Sequence, residues 1–458
     1  MSEGVQGARG AARETSPTLL DRFLRLFSDV RAGEGSTAAL MMLNLFLLLV
    51  AYYIIKSVRE PLILNTGGAE GKSYATATQA VVLMFAVPLY GAFAKKMTAN
   101  KLIRGVTVFF VVCIELFYVA AWLEVPYLGF IFYVWVGIFS LAMVAQFWSY
   151  ANDLYDKDQG ERLFPVLGIG ATAGSLVGSL IAKILFDSGF GAYNLLQLAA
   201  ALLVVHLLLY SVVFKRPVAP GSVDSSTQKL SGAGGFTLLL ERKYLRMLAL
   251  LLLLLNLVNT TGEFILSSYV EDLAKEAAAA ALAADPGLVV ADFLEAWVGS
   301  FYAGFFLYVN IAGVLLQALV VSRIVKYTGL AGVLLMLPVV SLGAYTLVAF
   351  GVSFSIFQWA KSAENATDYS VMNTARALLW LPTSRDEKYK AKQAVDTFIV
   401  RVGDLLSGGL VFVGTEYLAF EATDFARTNV VIAVVWLGLA WLLYREYKKL
   451  AAEGDAVA

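Results

Sequence analysis

The sequence predicts an all-α membrane protein of twelve transmembrane helices arranged as two six-helix bundles. Three observations carry that expectation. Hydrophobic residues make up 59% of the 458 and charged residues only 15%, whereas a soluble domain carries about 25% charged residues. The apolar runs are continuous and reach the length of about 20 residues that a helical span needs, as in MMLNLFLLLVAYYIIKSV. A stretch rich in Pro, Gly and Ser, KRPVAPGSVDSSTQKLSGAGG, follows the sixth run and reads as a linker.

Helices rather than a barrel follow because lipid offers the backbone no partner, and barrel strands would alternate over about ten residues. One cysteine, Cys113, and one histidine, His206, exclude a disulfide framework, a His/Cys metal site and a Cys–His dyad. No cofactor and no metal are implied, and an enzyme is disfavoured. The 35 Lys and Arg against 35 Asp and Glu leave no basic excess for a nucleic-acid partner. The partners to expect are a lipid bilayer and a small solute, and no oligomeric state follows.

Taken in order, residues 1–37 form a cytoplasmic segment lacking the apolar core and cleavage site of a signal peptide. Within it Leu19, Leu20, Phe23, Leu24 and Phe27 share a helical face. That face fits an amphipathic helix on the membrane surface as well as a short helix packed on the bundle. The first bundle covers 38–214, with runs centred near Leu48, Leu83, Val111, Val136, Ser175 and Val204. After a cytoplasmic linker, 215–240, the second bundle covers 241–447, with runs centred near Leu254, Leu307, Val339, Trp359, Val402 and Val434; 448–458 form a cytoplasmic tail. Lys and Arg stay on the cytoplasmic side during insertion. Segments on one side hold Lys95, Lys96, Lys101, Arg104, Lys215, Arg216, Lys229, Arg385 and others, while the opposite segments hold only Lys56, Arg59, Lys72, Lys275 and Arg427. Both termini are therefore expected inside, in a bacterial inner membrane.

The halves echo each other, the mark of a transporter whose site lies between repeated units. GAFAKKMTANKLIRG after run two has a counterpart in SRIVKYTGLAG after run eight. In run five Gly170, Gly174 and Gly178 recur four apart, which lets helix backbones approach closely in lipid. Ordinary packing accounts for that pattern, and a sliding contact is the functional alternative.

Ionisable residues inside the runs carry more information, because each costs at least about 2.5 kcal/mol at the membrane centre unless paired or hydrated. They are Glu115, Lys183, Glu263, Lys361, Glu364, Asp368, Arg401 and Asp404, with Lys56, Arg59 and Glu60 at the end of run one. Asn256, Asn259 and Glu263 fall on one helical face, as do Lys361, Glu364, Asn365 and Asp368. Such stripes face a polar cavity or other helices. In one reading, bases in a midplane cavity meet an anion while acids carry protons or gate; in the other, pairs such as Lys361 with Glu364 and Arg401 with Asp404 hold helices together. Glu115 and His206 read as structural. Tyr52, Tyr53, Trp148 and Tyr150 stand beside polar positions, where packing is the ordinary explanation and stacking on a base or sugar the functional one.

Three longer segments add a resemblance. IIKSVREPLILNTGGAE, FWSYANDLYDKDQGERLFPVLGIGA and DYSVMNTARALLWLPTSRDEKYKAKQAVD, with VGDLLSGG beyond them, resemble the nucleotide transporters of plastids and intracellular bacteria, the ATP/ADP translocases. The resemblance covers most of the chain and implies a major-facilitator-like fold. It also implies that the family's basic and acidic residues at the outer end of span one are Lys56, Arg59 and Glu60. Its span-seven acid would be Glu263, its FW-x-x-AN signature Phe147, Trp148, Ala151 and Asn152, and the base in its span-ten tail Arg376. Three positions depart: Asp404 stands where the family has a lysine before SGG, apolar Val136 falls near the expected acid of span four, and Thr76 replaces a lysine, with Lys72 one turn earlier. The Ala-, Leu- and Gly-rich composition also differs from that of obligate intracellular bacteria.

Together these readings give a secondary active transporter, a nucleotide carrier or exchanger of the ATP/ADP type working by alternating access. Its substrate-binding residues are expected to be Lys56, Arg59, Asn152, Lys361, Arg376 and Arg401. Its coupling or gating residues are expected to be Glu60, Glu263, Glu364, Asp368 and Asp404. The alternatives are a proton-coupled major-facilitator carrier of another small solute, which the acids at basic family positions favour, and a non-transporting scaffold on the same fold. A basic cavity supports phosphate, and an acidic one a cation or neutral solute.

Overall fold

Every regular element among the described residues is helical. The computed structural model describes residues 18–94, 97–214, 235–384 and 387–455. Expectations resting on residues 1–17, on Lys95 and Lys96, on linker residues 215–234, on Arg385 and on 456–458 lie outside the described residues.

A short helix α1 (Leu19–Leu24) precedes α2 (Gly35–Ala94), α3 (Ala99–Trp122), α4 (Leu128–Leu154), α5 (Lys157–Asp187) and α6 (Ala192–Val213). The second half holds α7 (Gly235–Glu241), α8 (Lys243–Ala284), α9 (Val290–Leu315), α10 (Ser322–Ala349), α11 (Phe354–Thr367), α12 (Asn373–Leu379), α13 (Lys392–Ala394), α14 (Val400–Leu418) and α15 (Ala422–Asp455). Turns of π-helix at Leu316–Val321, Asp368–Met372, Glu387–Ala391 and Val395–Ile399 join several of these. Helix α7 lies within residues 235–241, and α15 continues as helix to Asp455.

By length and apolarity, nine helices among the described residues can cross a membrane. Two of the nine are 60 residues long, about three times the hydrocarbon thickness if straight. Neither is straight. Gly68 interrupts α2 at φ 64° and Gly329 interrupts α10 at φ 61°, left-handed values open to glycine at little cost. The arms of α2 are thus 35–67 and 69–94. The stretch from Phe354 to Leu379 is helical throughout, but Lys361, Glu364, Asp368 and Arg376 make it too polar to count among the nine.

The buried apolar residues gather in two clusters, one around Leu48, Phe139, Leu167 and Leu203, the other around Leu248, Phe305, Leu334 and Trp436. Within the first, α5 lies against the first arm of α2. A Cβ on Gly170, Gly174 or Gly178 would stand 2.3, 2.5 or 2.7 Å from the carbonyl oxygens of Met42, Phe46 and Val50. The glycine stripe therefore packs helices inside one half. The halves meet elsewhere, along α5 and α9, where Gly299 faces the Phe186 ring, and along α14 and the second arm of α2, where Gly408 faces Ala77.

Helix α1 is only six residues long, and of its apolar face Leu24 is buried while Leu19, Leu20, Phe23 and Phe27 are exposed. It is a packed helix with an open apolar side. Asp21 fixes it: its carboxylate accepts from the Thr18 N–H and hydroxyl at 2.8 Å, from Gly35 N–H at 2.8 Å and from Gly33 N–H at 3.3 Å. Burial pushes this carboxyl up, but the four donors outweigh it and hold the group at about 2. Glu34 is likewise held below its usual range: burial opposes the shift, and hydrogen bonds from Arg162 prevail.

Candidate functional site

Polar residues recur at i, i+3 and i+4 on two otherwise apolar helices, Lys56, Arg59 and Glu60 on the first arm of α2 and Lys361, Glu364 and Asn365 on α11, and α8 adds Asn259, Thr260 and Glu263 at i, i+1 and i+4. That spacing puts each set on one helix face. The fold turns these faces toward one another across a cavity of about 160 Å³ between the halves. Its walls are Lys56, Arg59, Glu60, Lys72, Ser73, Thr76 and Tyr133 from the first half, and Asn259, Thr260, Glu263, Phe264, Phe306, Asn365 and Tyr369 from the second.

Glu60 is 1% exposed and takes two bases at once, Arg59 at 2.5 Å and Lys72 at 2.7 Å. The Arg59 guanidinium lies 4.2 Å from the centre of the Tyr133 ring. Lys72 Nζ also donates to Ser267 Oγ at 2.9 Å, so it ties the second arm of α2 to α8. Lys361 is wholly buried, 2.8 Å from Glu364 and 3.5 Å from Glu263, and donates to Asn259 Oδ1 at 2.9 Å. The Ser341 and Tyr345 hydroxyls donate to Glu364, each at 2.7 Å. Asn365 Nδ2 donates to Glu263 at 3.0 Å.

Lys56 differs from all of these. Its Nζ sits 4.1 Å from the centre of the Phe306 ring and within 6 Å of the Tyr53 and Tyr369 rings, and no carboxylate among the described residues lies within 4 Å of it. Cation–π contact holds such an ammonium for about 0.5–2 kcal/mol without cancelling its charge. The cavity wall therefore carries three bases, Lys56, Arg59 and Lys72, against two acids, Glu60 and Glu263.

The remaining predicted residues lie off this wall. Asp368 opens the π turn that follows α11 and pairs with Arg376 at 3.3 Å. It shares the stripe of Lys361 and Glu364 by spacing, but its carboxylate is drawn to Arg376. Arg401 pairs with Asp404 at 3.3 Å, and Asp404 accepts from Asn256 at 2.6 Å and Thr260 at 2.8 Å. Asn152 is exposed at the end of α4, while Phe147 and Ala151 of the same signature are core residues. His206 and Asn44 bond each other's backbone carbonyls, and Glu115 accepts from Gln197 at 3.1 Å. Tyr52 packs on Phe139, Tyr150 on Tyr210 and Trp148 on Phe164, whereas Tyr53 joins the ring set around Lys56.

Lys72, placed by the sequence in an outer segment, is a site residue, as are Tyr133, Phe306 and Tyr369, which the sequence does not single out. A signal for the first existed: Lys72, Ser73 and Thr76 form a polar stripe at i, i+1 and i+4. Placing Lys56, Arg59 and Lys72 in an outer loop hid it, whereas they sit within α2 on either side of the Gly68 bend.

Comparison with known proteins agrees with this architecture. Among solved structures, the nucleoside transporter NupG superposes with a TM-score of 0.63 at 14% identity, over 90% of this chain and 99% of the other. The POT family transporter PepTSo superposes with a TM-score of 0.62 at 13% identity, over 90% and 98%. These likenesses show the fold, a major-facilitator-like one. Two Rickettsia proteins are similar in sequence. ADP,ATP carrier protein 5 of Rickettsia bellii is 22% identical over 89% of this chain and 93% of its own length. ADP,ATP carrier protein 3 of Rickettsia conorii is 21% identical over 69% and 70%. The model of the TLC ATP/ADP transporter family matches residues 121–450, the greater part of the chain. With the fold and the relatives in accord, the chain belongs to the TLC ATP/ADP transporter family and is a membrane carrier rather than an enzyme.

Proposed function

We propose that the protein carries nucleotides across a bacterial inner membrane by exchange, with twelve spans in two bundles (38–214 and 241–447) rocking about the central cavity and both termini cytoplasmic. The observation that carries this reading is Lys56, a cation held by rings, open to a cavity between the halves and without a carboxylate neighbour among the described residues. A phosphate is the natural partner of such a group. In this reading Lys56 and Arg59 bind substrate, and Glu60, Glu263, Lys361 and Glu364 form the network that links substrate to the closing of the halves.

Polar ties between the halves support alternating access. At the end of the bundle away from the termini, Glu271 accepts from the Ala69 N–H at 2.7 Å and Glu295 from the Ala192 N–H at 2.6 Å. Ser300 there meets Asp187 and Lys183. These are the contacts that would break when that end opens. Asp404, Asp368, Arg376 and Arg401 form pairs away from the wall, where they would brace the second half. Because those acids leave the wall with a basic excess, its charge supports an anion over the cation or neutral solute of a proton-coupled carrier. A non-transporting scaffold has no need of an unpaired ammonium at its centre.

The test is uptake of labelled nucleotides into liposomes containing the purified protein, with and without unlabelled nucleotide inside. Uptake that depends on internal nucleotide supports the proposal; no uptake of any nucleotide in either condition would sink it.

A further inference from the structure

The charges around the cavity set how much negative charge it can accept, an inference that rests on the nucleotide reading. Lys56, Arg59, Lys72 and Lys361 are four bases, and Glu60, Glu263 and Glu364 are three acids. Glu60 between Arg59 and Lys72 leaves one positive charge, Lys361 between Glu263 and Glu364 leaves one negative charge, and these two remainders cancel. One ammonium, Lys56, is left over. A phosphate moved from water into such a site must find its counter-charge there, because an unpaired buried charge is costly. A phosphomonoester carries about −1.5 to −2 at pH 7, and each further phosphate adds at least one full charge.

We infer that the cavity takes substrates with a single phosphate, the class of nucleoside monophosphates and similar phosphate esters, in preference to nucleoside triphosphates. Two further observations point the same way. The cavity of about 160 Å³ is smaller than the about 300–1,000 Å³ of pockets for drug-sized ligands. On its opposite walls Ser73 Oγ and Asn365 Oδ1 are buried without a hydrogen-bond partner. Each residue is only 5% exposed. Once the Ser73 and Asn365 side chains turn toward the cavity, these atoms would pair with the uncharged part of a ligand, a ribose hydroxyl or a base edge.

The experiment is a thermal-shift titration of the purified full-length carrier with nucleoside, mono-, di- and triphosphate in the adenine, guanine and uracil series, without divalent cations. A ligand that binds the folded state raises its apparent stability with the logarithm of its concentration over its dissociation constant. For the preferred base, the monophosphate should act at a concentration at least about tenfold lower than the triphosphate, a difference of about 1.4 kcal/mol. In Lys56→Gln the monophosphate should lose its advantage over the nucleoside. Glu263→Gln removes one negative charge and should move the preference toward the diphosphate. If the wild-type protein prefers the triphosphate, the charge limit is wrong while nucleotide carriage stands. If no compound of any series shifts the protein, both fall. The wild-type series needs no variant to fold.

Discussion

Lys56 and Lys361 are both lysines within apolar helices, yet their surroundings assign them different work. Lys361 is encased, with two carboxylates and Asn259 around its Nζ. Replacing it leaves Glu263 and Glu364 as uncompensated buried neighbours, a change that costs about 3–5 kcal/mol where such pairs have been broken. Lys361→Met should therefore lower the thermal midpoint markedly in detergent, before any question of transport arises. Lys56 has rings and open space instead. Lys56→Gln should fold with a thermal midpoint close to wild type and lose about ten- to a hundredfold in affinity for a phosphorylated ligand, the range expected when a charge-assisted hydrogen bond of about 1.5–3 kcal/mol disappears. A variant with unaltered affinity would remove Lys56 from the site.

Among the elements, α5 makes the sharpest case for packing. The backbone of α2 lies within 3 Å of where side chains on Gly170, Gly174 and Gly178 would begin. Gly174→Val should cost at least the about 1–3 kcal/mol of an overpacked core, whereas Gly438→Ala, which meets nothing within 4 Å, should be near neutral; thermal midpoints of the two compare them. Helix α1 gives the pH dependence. The Asp21 carboxyl titrates at about 2 in place against 3.8 when unconstrained, so its contribution to docking is complete above about pH 4 and is lost as pH falls toward 2. Hydrogen exchange of residues 18–35 should rise over that window, and Asp21→Ala should raise it at neutral pH while the bundle stays protected. Much of this was legible beforehand. Apolar runs marked the spans, the four-residue glycine period marked a close contact, and the polar stripes of Asn256, Asn259 and Glu263 and of Lys361, Glu364, Asn365 and Asp368 marked the faces of α8 and α11. What was not legible depends on three-dimensional closure. Nothing local says that Tyr133 and Phe306 come to the same cavity as Lys56, that Asp368 pairs with Arg376 away from its wall, or that α2 bends at Gly68 so that Lys72 returns to Glu60.

For the whole molecule, the partition of charge is the deciding feature. A count of ionisable residues along the spans is rich in acids, but folding sends Asp368 to Arg376, Asp404 to Arg401 and Glu364 to Lys361, and leaves the cavity wall basic. Rocking of the halves has its own test. Cysteines at Asp187 and Ser300, whose side chains meet across the halves, in a Cys113→Ser background, should cross-link on oxidation, abolish transport and recover it on reduction. Transport that persists in the cross-linked protein would show that this end does not open. The central claim, that a nucleotide is neutralised at Lys56 between two moving halves, is tested most directly by counterflow. Liposomes containing the protein and loaded with unlabelled nucleotide are given the labelled compound outside. Wild type should accumulate label transiently, and Lys56→Gln should lose about tenfold or more at equal protein content. Equal counterflow by the two proteins, or none by wild type with any nucleotide, would contradict it.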